Sequence, residues 1–405
     1  MTVLSEPAPI RAPAAFSLAP LMFEAFVCTL AMMSFVALVG PIARELGLAP
    51  WQAGTAVTVG GIAWVLLARV WGVASDRHGR RRVLLGGLAG FVLAYAALCA
   101  FVVVALQVQP PVWLAFAGIV LLRGLSGGCY AAVPACSAAL VADHVEPQRR
   151  AAAMAGLGAA SAAGMVAGPG LAGLLAGHGL ELPLYVTALL PLLALGVLWR
   201  WLPHGERHAP ADARPLGLGD PRLRRPLAVA FVAMFSVTIA QVTVGFFALD
   251  RLQLDTAAAA RAAGIALTVV GVALVLAQLA VRALAWPPAR LIRIGGLVSA
   301  AGFAAAAFAS SAPLLWAGYF VAAAGMGWVF PAVAALAANA VQAHEQGATA
   351  GSLGAAHGLG MIVGPLAGTL IYALDSGAPY LLIAALLAVA ALWPARRASV
   401  GEVRP

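Results

Sequence analysis

Apolar residues fall in twelve long runs along the 405-residue chain, separated by short loops rich in Arg, Gly and Pro. A helix that crosses hydrocarbon needs roughly 20 mostly apolar residues, because each buried backbone amide must find its partner within the same helix. The runs predict spans over 17–40, 51–71, 83–106, 112–141, 151–177 and 182–202, then over 227–249, 262–285, 294–310, 313–338, 349–373 and 378–394. One long polar stretch, 203–226, separates the two sixes and carries Arg207, Arg214, Arg222, Arg224 and Arg225. The pattern predicts an all-α membrane protein: a six-helix bundle over 1–202, a cytoplasmic linker over 203–226 and a second six-helix bundle over 227–405.

The halves are also related in sequence. Leu157-Gly-Ala-Ala-Ser-Ala-Ala-Gly164-Met-Val-Ala-Gly168-Pro169 aligns with Leu353-Gly-Ala-Ala-His-Gly-Leu-Gly360-Met-Ile-Val-Gly364-Pro365 at a constant offset of 196, with eight of thirteen positions identical. Span five therefore repeats as span eleven. Twelve transmembrane helices in two pseudo-symmetric bundles, related by a parallel repeat, form an architecture that places a central site between the halves.

Charge sets the orientation. Arg77, Arg80, Arg81, Arg82, Arg149, Arg150, the linker arginines, Arg290, Arg293, Arg396 and Arg397 fall in loops on one side, whereas Arg44, Arg251 and Arg261 fall on the other. Arginine collects in cytoplasmic loops, so both termini are expected in the cytoplasm of a cell with this multi-pass protein in its inner membrane. The net charge of +9 has this cause, and no nucleic-acid partner is expected. The stretch Met1–Ala15 lacks a basic n-region, and the first span reads as retained.

Composition excludes several chemistries. Hydrophobic residues make up 63% of the chain and charged residues 10%, and all 24 basic residues are Arg. Without Lys there is neither a phosphate-cradling loop of the Walker type nor a Schiff-base amine. Cys28, Cys99, Cys129 and Cys136 lie inside predicted spans and form no CxxC pair, so they read as small core residues. His204 and His208 have helical spacing but no third ligand. No metal, no cofactor and no enzymatic activity is expected.

Between spans two and three the chain reads Gly72-Val-Ala-Ser-Asp76-Arg77-His78-Gly79-Arg80-Arg81-Arg82. Gly72 is expected to let two helices approach closely, and Gly79 to permit a tight turn. Asp76 can bond the amides of a neighbouring helix start or pair with Arg77 or Arg80. Asp143, at the end of span four, is a further candidate partner for these arginines, although a solvated loop acid is the plainer expectation. The matching loop of the second half, Trp286-Pro-Pro-Ala-Arg290-Leu-Ile-Arg293-Ile-Gly-Gly, lacks the acid and the turn glycine.

The loop resembles the signature of the major facilitator superfamily: glycine, three residues, Asp-Arg, one residue, Gly-Arg-Arg. The resemblance implies the major facilitator fold and a conformational latch for the outward-facing state, formed by Gly72, Asp76, Arg77, Gly79, Arg80 and Arg81. Arg123, in Leu122-Arg123-Gly124-Leu125-Ser126-Gly127-Gly128, resembles the family's span-four arginine, to which proton transfer is attributed. Gly164, Gly168, Pro169 and Gly173, echoed by Gly364 and Pro365, resemble the family's antiporter signature, with Ala172 standing where a glycine is usual. That signature implies export, and Pro169 is expected to bend its helix.

Charges inside the spans carry the chemistry. Glu24 interrupts span one, and a buried charge there costs several kcal/mol, roughly 3 on insertion scales, so the acid is expected to take and release protons. The Arg123 guanidinium cannot be discharged and needs a carboxylate, carbonyls or water beside it. His357 could titrate within span eleven, but a hydrogen-bonded packing histidine is the plainer expectation. The whole chain resembles the twelve-span drug:proton antiporters, implying a monomer that exchanges protons for a small, drug-like or amphipathic substrate. Export of an endogenous metabolite such as a siderophore, and proton-coupled nutrient uptake, remain open alternatives.

Overall fold

The computed structural model describes residues 16–202, 220–284, 286–342 and 345–393. Met1–Ala15, His204, Arg207, His208, Arg214, Arg396 and Arg397 lie outside the described residues.

The first half comprises α1 Ala19–Glu45, α2 Pro50–His78, α3 Arg80–Val108, α4 Val112–Tyr130, α5 Ala132–His144, α6 Pro147–Leu175 and α7 Glu181–Trp201. The second comprises α8 Arg224–Asp250, α9 Thr256–Leu284, α10 Pro288–Ala307, α11 Ala312–Asn339, α12 Gln346–Tyr372 and α13 Ala378–Leu392. Among the described residues eleven spans are long and apolar enough to cross a membrane, and α13, with 15 residues, is the short twelfth.

The fourth span covers Val112–Val141, as the apolar run over 112–141 predicts. It breaks at Ala131 into α4 and α5. Pro134 explains the break: it has no N–H for the carbonyl of Tyr130, and its ring crowds that carbonyl. The α2–α3 connection is a single residue, Gly79, with φ 94°. That backbone region is costly for any residue with a Cβ, so the sharp reversal depends on glycine.

Helices in lipid gain nothing from hiding apolar surface from one another, so they pack where small residues let backbones meet. Gly164 and Gly168 of α6 lie directly on the Phe26 and Leu30 carbonyls of α1. Gly360 and Gly364 of α12 lie in the same way on Phe231, Phe235 and Thr238 of α8. Within each half, the repeated motif thus fastens the fifth span to the first.

Across the halves, α6 packs on α9 and α12 packs on α2. A Cβ on Gly264 would stand 2.7 Å from the Gly173 Cα, and one on Gly54 would stand 2.6 Å from the Pro365 carbonyl. These contacts gather at one end of the molecule, where Gly40 of α1 also meets the Phe246 amide of α8 at 2.9 Å from its Cβ position.

The other end, which carries the Arg77–Arg82 loop, is splayed. Gly54 and Gly72 are 18 residues, five helical turns, apart and share one face of α2; Thr369 and Gly351 do the same on α12. Gly54 is in tight contact with Thr369, yet Gly72 and Gly351 each face open space. The two helices touch from Gly54 as far as Val65, where a Cβ on Gly358 would stand 3.6 Å from the Val65 side chain, and form a V that opens toward the arginine-rich end over the last two turns before Gly72.

Candidate functional site

Arg80, the first residue of α3, gathers the loop charges. It forms an ion pair with Asp76 of α2 and donates from Nε to Asp143 Oδ2 of α5 at 3.1 Å and from Nη1 to Ser75 Oγ at 2.8 Å. Asp143 is not the solvated loop acid that its position suggested. Its side chain is only 14% exposed because α5 packs against α3 and brings it to Arg80.

Two other loop expectations need correction. Among the described residues Arg81 joins no acid: it donates to the carbonyls of Trp199, at 2.8 Å, and Leu202, at 3.2 Å, and so caps the C-terminus of α7. Gly72 brings no helix close, because its face of α2 looks into the open part of the V. Arg77 is exposed and makes no ion pair among the described residues. The cluster Asp76, Arg80, Asp143 therefore joins α2, α3 and α5 of one half and does not reach the other.

Glu24 is 1% exposed in α1, about 7.5 Å along the axis from the start of the helix. The Cys28 thiol lies one turn on, and Oε1 has no hydrogen-bond partner among the described residues. Arg123 is 4% exposed, and its guanidinium stands 5.6 Å over the Phe35 ring. Its Nε and Nη1 are buried without a partner among the described residues. Gly60 of α2 presses on its stem, with 3.2 Å from a Cβ position to the Arg123 Cγ.

Phe35 lies eleven residues beyond Glu24 on α1, about 16 Å along the axis, so the buried acid and the buried cation are not paired. The expected carboxylate or carbonyl beside Arg123 is absent among the described residues; an aromatic face stands there instead. His357 of α12 is half-buried, edge-on to Phe330 at 5.9 Å, and its Nε2 is buried without a partner. Among the described residues no hydrogen-bond partner of Nε2 occurs, where a hydrogen-bonded packing histidine was the plainer expectation.

The glycine motif divides its work. Gly164 and Gly168 face α1, with Ser34 Oγ donating to the Gly168 carbonyl at 2.8 Å, whereas Gly173 and the Pro169 carbonyl face Gly264 of α9 in the other half. Gly364 faces Thr238 of α8, and the Pro365 carbonyl faces Gly54 of α2. Pro169 lies within a helix assigned without interruption from Pro147 to Leu175.

One feature escaped sequence reasoning. At the closed end Arg44 of α1 forms an ion pair with Asp250 of α8, and Thr256 of α9 donates to Glu45 of α1, so both bonds cross between the halves. Tyr372 OH holds Asp250 from within its own half at 2.9 Å. In the sequence these are ordinary loop-edge charges; only the packing pairs them. No cluster of His, Cys, Asp and Glu that could hold a metal ion occurs among the described residues.

A family model described as Major Facilitator Superfamily matches residues 21–286 and again 227–403. The chain is 30% identical over 343 residues to the class G tetracycline resistance protein of Vibrio anguillarum, covering 80% of this chain and 81% of that one. It is 30% identical over 322 residues to the class C tetracycline resistance protein of Escherichia coli, covering 76% of each. A gallate transporter of Pseudomonas putida is 31% identical over 199 residues, 48% of this chain and 40% of that one. Among solved structures, a bacterial homologue of the human lysosomal transporter Spinster superposes with a TM-score of 0.71 at 14% identity, covering 92% of this chain and 94% of that one. The human organic anion transporter MFSD10 superposes with a TM-score of 0.65 at 20% identity, covering 92% and 97%.

Proposed function

This chain belongs to the Major Facilitator Superfamily and is a multi-pass membrane transporter, and on that premise we propose that it exports a small, drug-like or amphipathic compound in exchange for protons. The two bundles, 1–202 and 227–405, rock about the closed seams while 203–226 tethers them. With the arginine-rich loops and both termini on the cytoplasmic side of an inner membrane, the V between α2 and α12 opens to the cytoplasm. The conformation is then the one that loads cargo from inside.

The observation that carries the coupling is Glu24: a carboxyl 1% exposed, with Oε1 unpartnered and no cation paired to it among the described residues. A group so placed bears charge only when water or substrate reaches it. Protons arriving from outside neutralise Glu24, cargo binds between the halves when it is charged, and the competition links the two fluxes. Arg123, fixed over Phe35 without a counter-ion, biases the same interior toward negative charge.

When the halves close at the cytoplasmic end, Gly72 and Gly351 are the residues positioned to let α2 and α12 meet. The Asp76, Arg80, Asp143 cluster stiffens the end of α2 that must make that contact. This supports the latch role for the outward-facing state.

The test uses inverted membrane vesicles with an imposed pH gradient. Adding tetracycline, the compound named for the similar resistance proteins, or another drug-like compound should release protons. Glu24→Gln should abolish that release while leaving expression intact; release unchanged in the variant removes Glu24 from the mechanism. The partial likeness to a gallate transporter favours a second reading, proton-coupled passage of an aromatic acid. The direction of gallate flux in the same vesicles separates the two.

A further inference from the structure

Exposure along α1 and α8 ends where these two helices, one from each half, meet. Every residue from Ser34 to Ala43 of α1 is buried, as is every residue from Val242 to Ala248 of α8, and within these stretches Gly40 touches Gly245. Toward the arginine-rich end one row on each helix is only half-buried: Phe26, Thr29 and Met33 on α1, and Met234, Val237 and Gln241 on α8. Met33 lies two turns before Gly40 and Gln241 one turn before Gly245, so both rows look toward the opposite half just below the contact.

Gln241 is the polar member of the α8 row. It lies nine residues, about 13–14 Å, before Asp250 and its ion pair with Arg44, close to the middle of a hydrocarbon layer about 30 Å thick. Its amide makes no hydrogen bond among the described residues, and neither its oxygen nor its nitrogen is enclosed. The hydroxyls of α8 are spent on carbonyls: Ser236 on Val232 at 2.7 Å, Thr238 on Met234 at 3.0 Å and Thr243 on Ile239 at 2.8 Å. The fold itself does not call for an amide at this position. The packing that sets Gly164 on Phe26 and Gly360 on Phe231 makes Val36, a buried aliphatic residue, the counterpart of Gln241 in the first half. An amide without partners in apolar surroundings costs free energy that a ligand's matching groups recover.

We propose that Gln241 is the hydrogen-bonding determinant of the central site and selects cargo that carries an uncharged donor and acceptor side by side, as a carboxamide does. The cargo's N–H donates to the Gln241 carbonyl oxygen, and its own carbonyl accepts from the Gln241 NH2. Met33 and Met234 supply adaptable thioether surface that suits a flat aromatic body. This role rests on the export reading, and it names what the exported compound must present. Two substitutions probe it. Gln241→Met keeps the length of the side chain and loses both bonding groups. Val237→Cys places a thiol on the same row, one turn away, in a protein whose partly accessible Cys129 is replaced by Ala.

The full-length protein in phosphatidylcholine nanodiscs is titrated with anthracene-2-carboxamide and with 2-methylanthracene, which offers the ring alone. Binding is read by energy transfer from tryptophan against empty discs. Gln241→Met should weaken the carboxamide about 5- to 30-fold, as loss of two hydrogen bonds requires, and leave 2-methylanthracene within about twofold. Val237→Cys should react with N-ethylmaleimide, and the carboxamide should slow that reaction only where residue 241 is Gln. Equal effects of Gln241→Met on the two probes, no carboxamide binding to the wild type, or no reaction of Val237→Cys would overturn the proposal. The expected binding pattern in a protein that gives no proton-coupled flux refutes export and leaves the role of Gln241 standing. Proton-coupled export of the carboxamide with binding unaltered by Gln241→Met refutes that role alone.

Discussion

The two bonds that cross the closed end set how firmly the molecule holds this conformation. Asp250→Asn removes the ion pair to Arg44, and because the Arg44 side chain is 49% exposed and that of Asp250 31%, solvent limits the pair to about 0.5–1 kcal/mol. Glu45→Gln removes the charge from the bond to Thr256, worth about another 1 kcal/mol. Tyr372 continues to hold residue 250 from its own half and contributes to both conformations alike. The double variant should therefore shift the two-state equilibrium by roughly 1.5–2 kcal/mol, a factor of about 10–30, toward the state closed at the arginine-rich end. Spin labels on Gly72→Cys and Gly351→Cys report it directly, since a Cβ at either position meets nothing within 4 Å. Cys28, Cys99 and Cys136 are buried, and Cys129, the partly accessible one, is replaced by Ala in the labelled protein. The short-distance population should rise about tenfold in the double variant at low salt and less at high salt. An unchanged distance distribution, or a shift toward longer distances, would refute the assignment of these bonds as the closed-end lock.

Asp76→Asn and Asp143→Asn each remove one acid from Arg80, so either should slow turnover several-fold while equilibrium substrate binding stays within twofold; equal losses of binding and transport would contradict a latch. Gly79→Ala places a Cβ at φ 94° and should cost about 1–2 kcal/mol, read as a lower melting temperature in detergent, whereas Gly86→Ala, at a position facing open space, should be neutral. Hydrogen bonds from the Arg222 side chain and amide hold the Asp220 carboxyl below its ordinary value of 3.8, so its contribution is present above that value and fades as pH falls through the depressed one. The melting-temperature difference between the wild type and Asp220→Asn should accordingly be constant from pH 7 to 5 and shrink only below about 4. A difference that vanished already at pH 6 would mean that another group titrates there.

Much of the fold was legible because hydrophobicity along a chain has to match the thickness of the hydrocarbon, whatever the helices then do to one another. The twelve spans, the repeat at offset 196 and the arginine-rich loops all follow from this local constraint. The glycines of span five could be read as packing sites. Which face met a helix of the same half and which met the opposite half could not be read, since Gly168 and Gly173 look alike in sequence and touch different helices.

The site was only partly legible. Sequence identified Glu24, Arg123 and Asp76 as costly or patterned charges, because burying an ionisable group in lipid is improbable without a use for it. Their partners depended on distance in space. The packing of α5 on α3 brought Asp143 to Arg80, Arg123 of α4 stands over Phe35 rather than beside Glu24, and the closed end joined Arg44 to Asp250 across 206 positions of chain. The V between α2 and α12 is likewise invisible in a hydropathy pattern: Gly54 and Gly72 occupy one helix face, and only the tilt between two rigid bundles leaves the first packed and the second open. The sequence by itself determined what lies in the membrane and which groups are costly there, since both are properties of single segments. The tertiary structure decided which groups meet and which end is open, since both depend on how two bundles are set against each other.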